Sequence, residues 1–97
     1  MTTQTIVLLS EIAEELQIPE DVLIRKGVNS YLERQLRTVQ AEIFEMTSRY
    51  KVSSVEEMEE RYREGTLEEA DSWQDLQRLN HLEYKRDRLQ KFLDSLS

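Results

Sequence analysis

Cysteine is absent from this 97-residue chain. That excludes a disulfide framework, a thiol nucleophile and a cysteine-based metal site, and it makes the cytosol the expected compartment. Proline occurs once, at Pro19, and glycine twice, at Gly27 and Gly65. An all-β fold needs many more turn residues, so helices are expected throughout. The longest apolar run is Ile6-Val7-Leu8-Leu9, far short of the roughly 20 residues of a membrane span, and no basic segment precedes it as in a secretion signal. Two isolated glycines cannot form a phosphate-cradling loop. Histidine occurs once, at His81. A catalytic triad or multi-histidine metal site would have to be built around that imidazole with Glu83 and Asp87, whose spacing brings no second strong ligand to its face. The pairs Glu56-Glu57 and Glu59-Glu60 point to different sides of a helix and read as solvated carboxylates. Catalysis, a cofactor, a metal and a small-molecule substrate are therefore not expected.

What the chain does contain is charge and periodic apolarity. Charged residues make up 34% and hydrophobic residues 38%, a balance that suits long amphipathic helices with much polar surface. The length fits one small domain, without a large private core. Net charge is −7 and uneven: residues 1–51 hold 6 basic and 8 acidic residues, whereas 52–97 hold 7 and 12. An acidic half repels nucleic acid and suits a basic protein partner; its plainer role is a solubilising face.

Along the chain, Thr2–Val7 is β-prone and reads as a short strand or a frayed end, with Ser10 as the N-cap of a short helix through Gln17. Leu9, Ile12, Ala13 and Leu16 share one face of that helix. Pro19, followed by Glu20 and Asp21, opens a second helix that meets no breaker but Gly27 until about Lys51. Its apolar positions Leu32, Leu36, Val39, Ile43, Met46 and Tyr50 are spaced 4, 3, 4, 3, 4, a heptad seam that must find a partner in the C-terminal helix or in a second copy. Running the register backwards puts Asn29 on the seam or just beyond it in solvent. Ser53 with Glu56, or Ser54 with Glu57, makes a capping box for a short acidic helix carrying Val55, Met58 and Tyr62, with Gly65 as its C′ residue. The weakest joint is expected at 51–54. Thr66 and Glu69 repeat the capping-box spacing before a last helix that begins by Trp73 and carries Leu76, Leu79, Leu82, Leu89, Phe92, Leu93 and Leu96. Arg86 falls within that stripe, either to pair with a carboxylate across an interface or to lay its stem over apolar neighbours. Trp73, the sole tryptophan, is an interface anchor by residue type or else the plug of a small core with Tyr62 and Met58.

The stretch from Ile12 to Arg34, with Glu14-Glu15-Leu16 before a turn and then Leu23-Ile24-Arg25-Lys26-Gly27-Val28-Asn29-Ser30-Tyr31-Leu32-Glu33, resembles the helix–turn–helix half of a ribbon-helix-helix domain. Tyr50 to Gly65, followed by Trp73 and a leucine-rich helix, is similar to the C-terminal segments of small prokaryotic antitoxin-like proteins. The resemblance implies a type II antitoxin: an N-terminal part that dimerises and reads operator DNA, and a helical C-terminal part that wraps a basic toxin. It departs from the pattern in that Thr2–Leu9 holds no Lys or Arg and would put apolar side chains on both faces of a strand.

The expected architecture is thus all-α, with a long central helix, a short acidic helix and an antiparallel C-terminal helix, preceded at most by a short strand. Residues 1–51 form a dimerising part and 52–97 an acidic partner-binding part. Leu32, Leu36, Val39, Ile43 and Met46 are the candidate homodimer seam. Met58, Tyr62, Trp73, Leu76, Leu79 and Leu82 are the candidate partner-binding residues. If DNA is bound, Gln4 and Thr5 would read it, with Arg25 and Lys26 on phosphates. A structural adaptor hairpin without a DNA role and a small DNA-binding regulator are the alternative functions.

Overall fold

The computed structural model describes residues 2–67 and 69–96, with the side chains of 69–71 left out. Four helices follow in order: α1 (Thr3–Leu16), α2 (Glu20–Tyr50), α3 (Val55–Arg63) and α4 (Glu69–Leu96). The class is all-α, and no strand occurs among the described residues.

The N-terminal strand expected over Thr2–Val7 is therefore corrected. Thr2 is the N-cap of α1, its Oγ accepting the Thr5 backbone N–H at 3.2 Å. Ser10, expected to be that cap, lies in mid-helix and donates its hydroxyl to Glu20 at 2.9 Å. Local β-propensity lost because it describes a fit to a pleated neighbour, and no described strand offers one. The helical period of Leu9 and Ala13 instead places both where α1 meets α2: Ala13 is buried and Leu9 half-buried.

α1, α2 and α3 end in the same way. Gln17, Lys51 and Gly65 each adopt the left-handed conformation. The N–H of each, and of the residue after it, turns back to carbonyls of the last helical turn, as in Gly65 to Tyr62 at 3.2 Å and Thr66 to Arg61 at 3.1 Å. This is the Schellman arrangement, and it confirms Gly65 in the role its position suggested. At Lys51 (φ 54) the same backbone carries a Cβ, which costs about 1–2 kcal/mol in that region. Lys51→Gly should accordingly raise stability by about 0.5–1 kcal/mol, the remainder being offset by the greater freedom of glycine in the unfolded chain. Urea denaturation measures this, and an unchanged or lower midpoint would show that the turn tolerates lysine without strain.

α2, about 46 Å long at 1.5 Å per residue, lies against α4. Glu42 and Arg49 of α2 pair with Arg78 and Asp75 of α4 respectively. Numbers that rise on one helix fall on the other, so the two run antiparallel. Their apolar stripes meet in one cluster built from Leu36, Val39 and Met46 of α2, Leu76, Leu79, Leu82, Leu89 and Leu93 of α4, and Val52, Val55 and Met58. Leu32, Ile43 and Tyr50 pack against it half-buried. The heptad seam is thereby covered within the chain, and the core runs across residues 51 and 52 without a break. The capping box read from Thr66 and Glu69 lies outside the described residues, because it needs the Glu69 side chain.

Asn29 is half-buried near the far end of this seam, where it donates to Glu33 at 3.2 Å. Arg86 is also half-buried, and its Nε donates to the adjacent Asp87 at 3.0 Å.

Candidate functional site

The joint between α2 and α3, which sequence alone marks as the weakest, is tied from several sides. Val52 is buried. Ser54 caps α3, accepting the Glu57 N–H at 3.2 Å. Glu57 reaches back to the hydroxyl and the backbone N–H of Ser53, the latter at 2.8 Å. The capping box is thus displaced by one residue on its return arm. Those hydrogen bonds, from the Ser53 hydroxyl first and its N–H next, hold the Glu57 carboxyl below its ordinary pKa, against a smaller opposing desolvation and with Arg61 assisting. Arg61 also donates to the Tyr50 carbonyl at 3.0 Å, satisfying a backbone acceptor at the end of α2.

α4 contributes two further ties. The Tyr50 hydroxyl donates a hydrogen bond to Asp75, which also pairs with Arg49 at 3.2 Å. Burial, and then the bond to Asp75, push the Tyr50 phenol up from its ordinary value. Glu83 accepts the Val55 N–H at 2.7 Å, so a carboxylate from α4 sits on the positive end of α3. Glu83→Ala should lower stability by about 1–2 kcal/mol and Glu83→Gln by roughly half of that, since the amide keeps an acceptor but not the charge. Thermal melts of the two variants check the ordering; equal losses would remove the charge from the explanation.

This bracing fixes what lies outside it. The Tyr62 ring of α3 and the Trp73 indole of α4 stand 5.8 Å apart between centroids, tilted by 46°, within the range where an aromatic pair adds to simple burial. Beside them runs an open groove of about 420 Å³ lined by Glu59, Tyr62, Arg63, Trp73, Leu76, Gln77 and Asn80. Trp73 remains 49% exposed, although tryptophan in a small helical protein commonly serves the core.

The six candidate partner-binding residues thus divide. Met58 and Leu79 are fully buried, and Leu76 and Leu82 nearly so; they form the floor and the core beneath the groove. Tyr62 and Trp73 are the two a partner can touch directly. Glu59, Arg63, Gln77 and Asn80, the polar lining of the groove, carry no apolar periodicity that would single them out in the sequence. The signal was present in the spacing: Gln77 and Asn80 follow Trp73 by four and seven residues, on the same side of a helix.

The candidate DNA-binding residues do not come together. Gln4 and Thr5 lie on the first turn of α1 and not on a strand. They line a depression with Val7, Leu8 and Glu11, whereas Arg25 and Lys26 line a separate one with Val22, Asn29 and Leu96. Arg25 also pairs with Asp21 at 3.8 Å on its own helix. His81 is exposed, and among the described residues no three His, Cys, Asp or Glu side chains gather as a metal site would require. No described helix is long and apolar enough to cross a membrane.

Fold and groove together define an all-α helical hairpin whose acidic end presents a paired tyrosine and tryptophan. The chain belongs to the family described as Uncharacterized protein MJ0235 family, whose model matches residues 1–97. No curated protein and no solved structure matches it.

Proposed function

We propose that this chain is a non-catalytic binding protein that captures a basic protein partner at the Tyr62–Trp73 groove, in the manner of an antitoxin that masks a toxin. The observation that carries the reading is Trp73: half-exposed, paired with Tyr62, and carried by α4, the helix that braces the α2–α3 joint, in the half of the chain with 12 acidic residues against 7 basic. A large rigid aromatic with a polar edge is a favoured interface anchor. Surrounding carboxylates steer a cationic partner toward it and raise the association rate at low salt. Glu59, Arg63, Gln77 and Asn80 form a polar rim that gives such a contact orientation.

Autorepression by DNA binding is not part of the proposal, since its four candidate residues lie on two separate depressions. A purely structural hairpin is the second reading, favoured by the seam that α4 already closes.

Co-expression with the product of the adjacent gene separates the two. The antitoxin-like reading expects a complex that survives purification, weakens with salt and is lost on Trp73→Ala. A complex indifferent to Trp73, or no complex at all, favours the structural reading.

A further inference from the structure

α1 carries an apolar face that no other described element of the chain covers. From Thr2 to Gln17 Ala13 is the sole buried residue, while Leu8 and Leu16 are 55% and 57% exposed and Ile12 is 37% exposed. These three recur every fourth residue and form one stripe along the helix. A helix of 14 residues is marginal in water without tertiary packing, so a stripe of this kind calls for an occupant. On the adjoining helix, Ile24, Val28 and Tyr31 make a second exposed stripe at the same end of the hairpin, enlarging the apolar area. The seam of α2 offers nothing more, because α4 already covers it.

The charges of α1 indicate which occupant fits. Thr2 to Ser10 contain no ionisable side chain, whereas Glu11, Glu14 and Glu15 crowd the last two turns. The first turn has no acidic residue and the last turn no basic one. The side chains thus oppose the helix dipole: carboxylates sit at the negative end, and the positive end has none. A second α1 laid antiparallel corrects both ends at once. Each copy's uncharged, positively polarised first turns then lie beside the other's glutamates. A parallel pair would instead stack six carboxylates, and a basic foreign segment would answer the acidic end but not the uncharged apolar one.

We infer that α1 is a homodimerisation helix that pairs antiparallel with α1 of a second copy, about a two-fold axis near Leu9 and Ser10. The two α3 segments, at the other end of α2 and rich in glutamate, are then held far apart, and both Tyr62–Trp73 grooves stay open. The inference stands apart from the partner reading, since it uses no residue of the groove.

Sedimentation equilibrium of the full chain tests it. The expected species is a dimer, with twice the 11.6 kDa of one chain. Leu8→Glu with Ile12→Glu should weaken association by at least about 100-fold, because four carboxylates would meet in an apolar contact. The far-ultraviolet melt of the α2–α4 hairpin should remain close to wild type, as α1 lies outside the main core. Orientation is read from disulfide trapping, which has no background in a chain without cysteine. Gln4→Cys chains should cross-link to Glu15→Cys chains and not to one another. A monomeric wild type, a double variant that dimerises as well as wild type, or a monomer that pairs solely with a co-expressed foreign protein would overturn the inference. Cross-linking among Gln4→Cys chains alone would overturn the antiparallel arrangement, and trapping decides the matter should the glutamate variant fail to fold.

Discussion

Leu79→Ala is expected to cost about 3–4 kcal/mol of folding stability, the largest loss of any single truncation on α4. Leu79 is fully buried at the heart of the cluster where α2, α3 and α4 meet, so its replacement removes transfer energy and leaves a cavity that two long braced helices cannot close. A domain of this size has a total stability on the order of 5–10 kcal/mol. The change should therefore lower the melting temperature by on the order of 15–25 °C. Guanidinium or thermal unfolding followed by helicity measures it. A loss below about 1 kcal/mol would mean that the hairpin collapses onto the vacancy and that α2 and α4 are not locked in register by Glu42–Arg78 and Arg49–Asp75.

Trp73→Ala should act in the opposite sphere. Its indole is half-exposed and paired with one ring, so truncation should change folding by no more than about 1–1.5 kcal/mol. Partner affinity, by contrast, should fall by about 2–4 kcal/mol, or roughly 30- to 1000-fold, as for an anchor at the centre of an interface. The contrast with Leu79 carries the weight. Both residues belong to the same leucine- and tryptophan-bearing stripe in the sequence, yet one should govern folding and the other binding. Calorimetric titration of the two variants against the same partner resolves them. Comparable affinity losses in a folded Leu79→Ala chain would mean that the groove is a by-product of packing.

Much of this arrangement was legible in the residues. The 4, 3, 4, 3, 4 spacing from Leu32 to Tyr50 located α2 and its buried face, and the single proline and second glycine marked the start of α2 and the end of α3. What the spacing could not decide was the seam's partner. A heptad stripe describes an apolar line, and α4 and a second copy satisfy it equally until chain geometry is known. In the N-terminal segment Thr, Ile and Val favour a strand locally, whereas the helix that forms there needs just a cap at Thr2 and a neighbour at Ala13. The groove was half visible. Trp73 and Tyr62 stood out by type, but their rim consists of ordinary polar residues whose roles arise when α3 folds onto α4. The ties at the joint, Arg61 on Tyr50 and Glu83 on Val55, span 11 and 28 residues, and no local pattern announces them.

Because Trp73 is the sole tryptophan, its fluorescence reports directly on the proposed site. The decisive measurement is a titration of the chain with the purified product of the adjacent gene at low and high salt, taken as the difference from an identical titration of Trp73→Phe. A saturable blue shift that weakens as salt rises is expected, since a basic partner would bury the indole and be drawn to it by charge. Binding that leaves the Trp73 emission unchanged, or no binding at either salt, would contradict the assignment of this acidic hairpin as a partner-capturing protein.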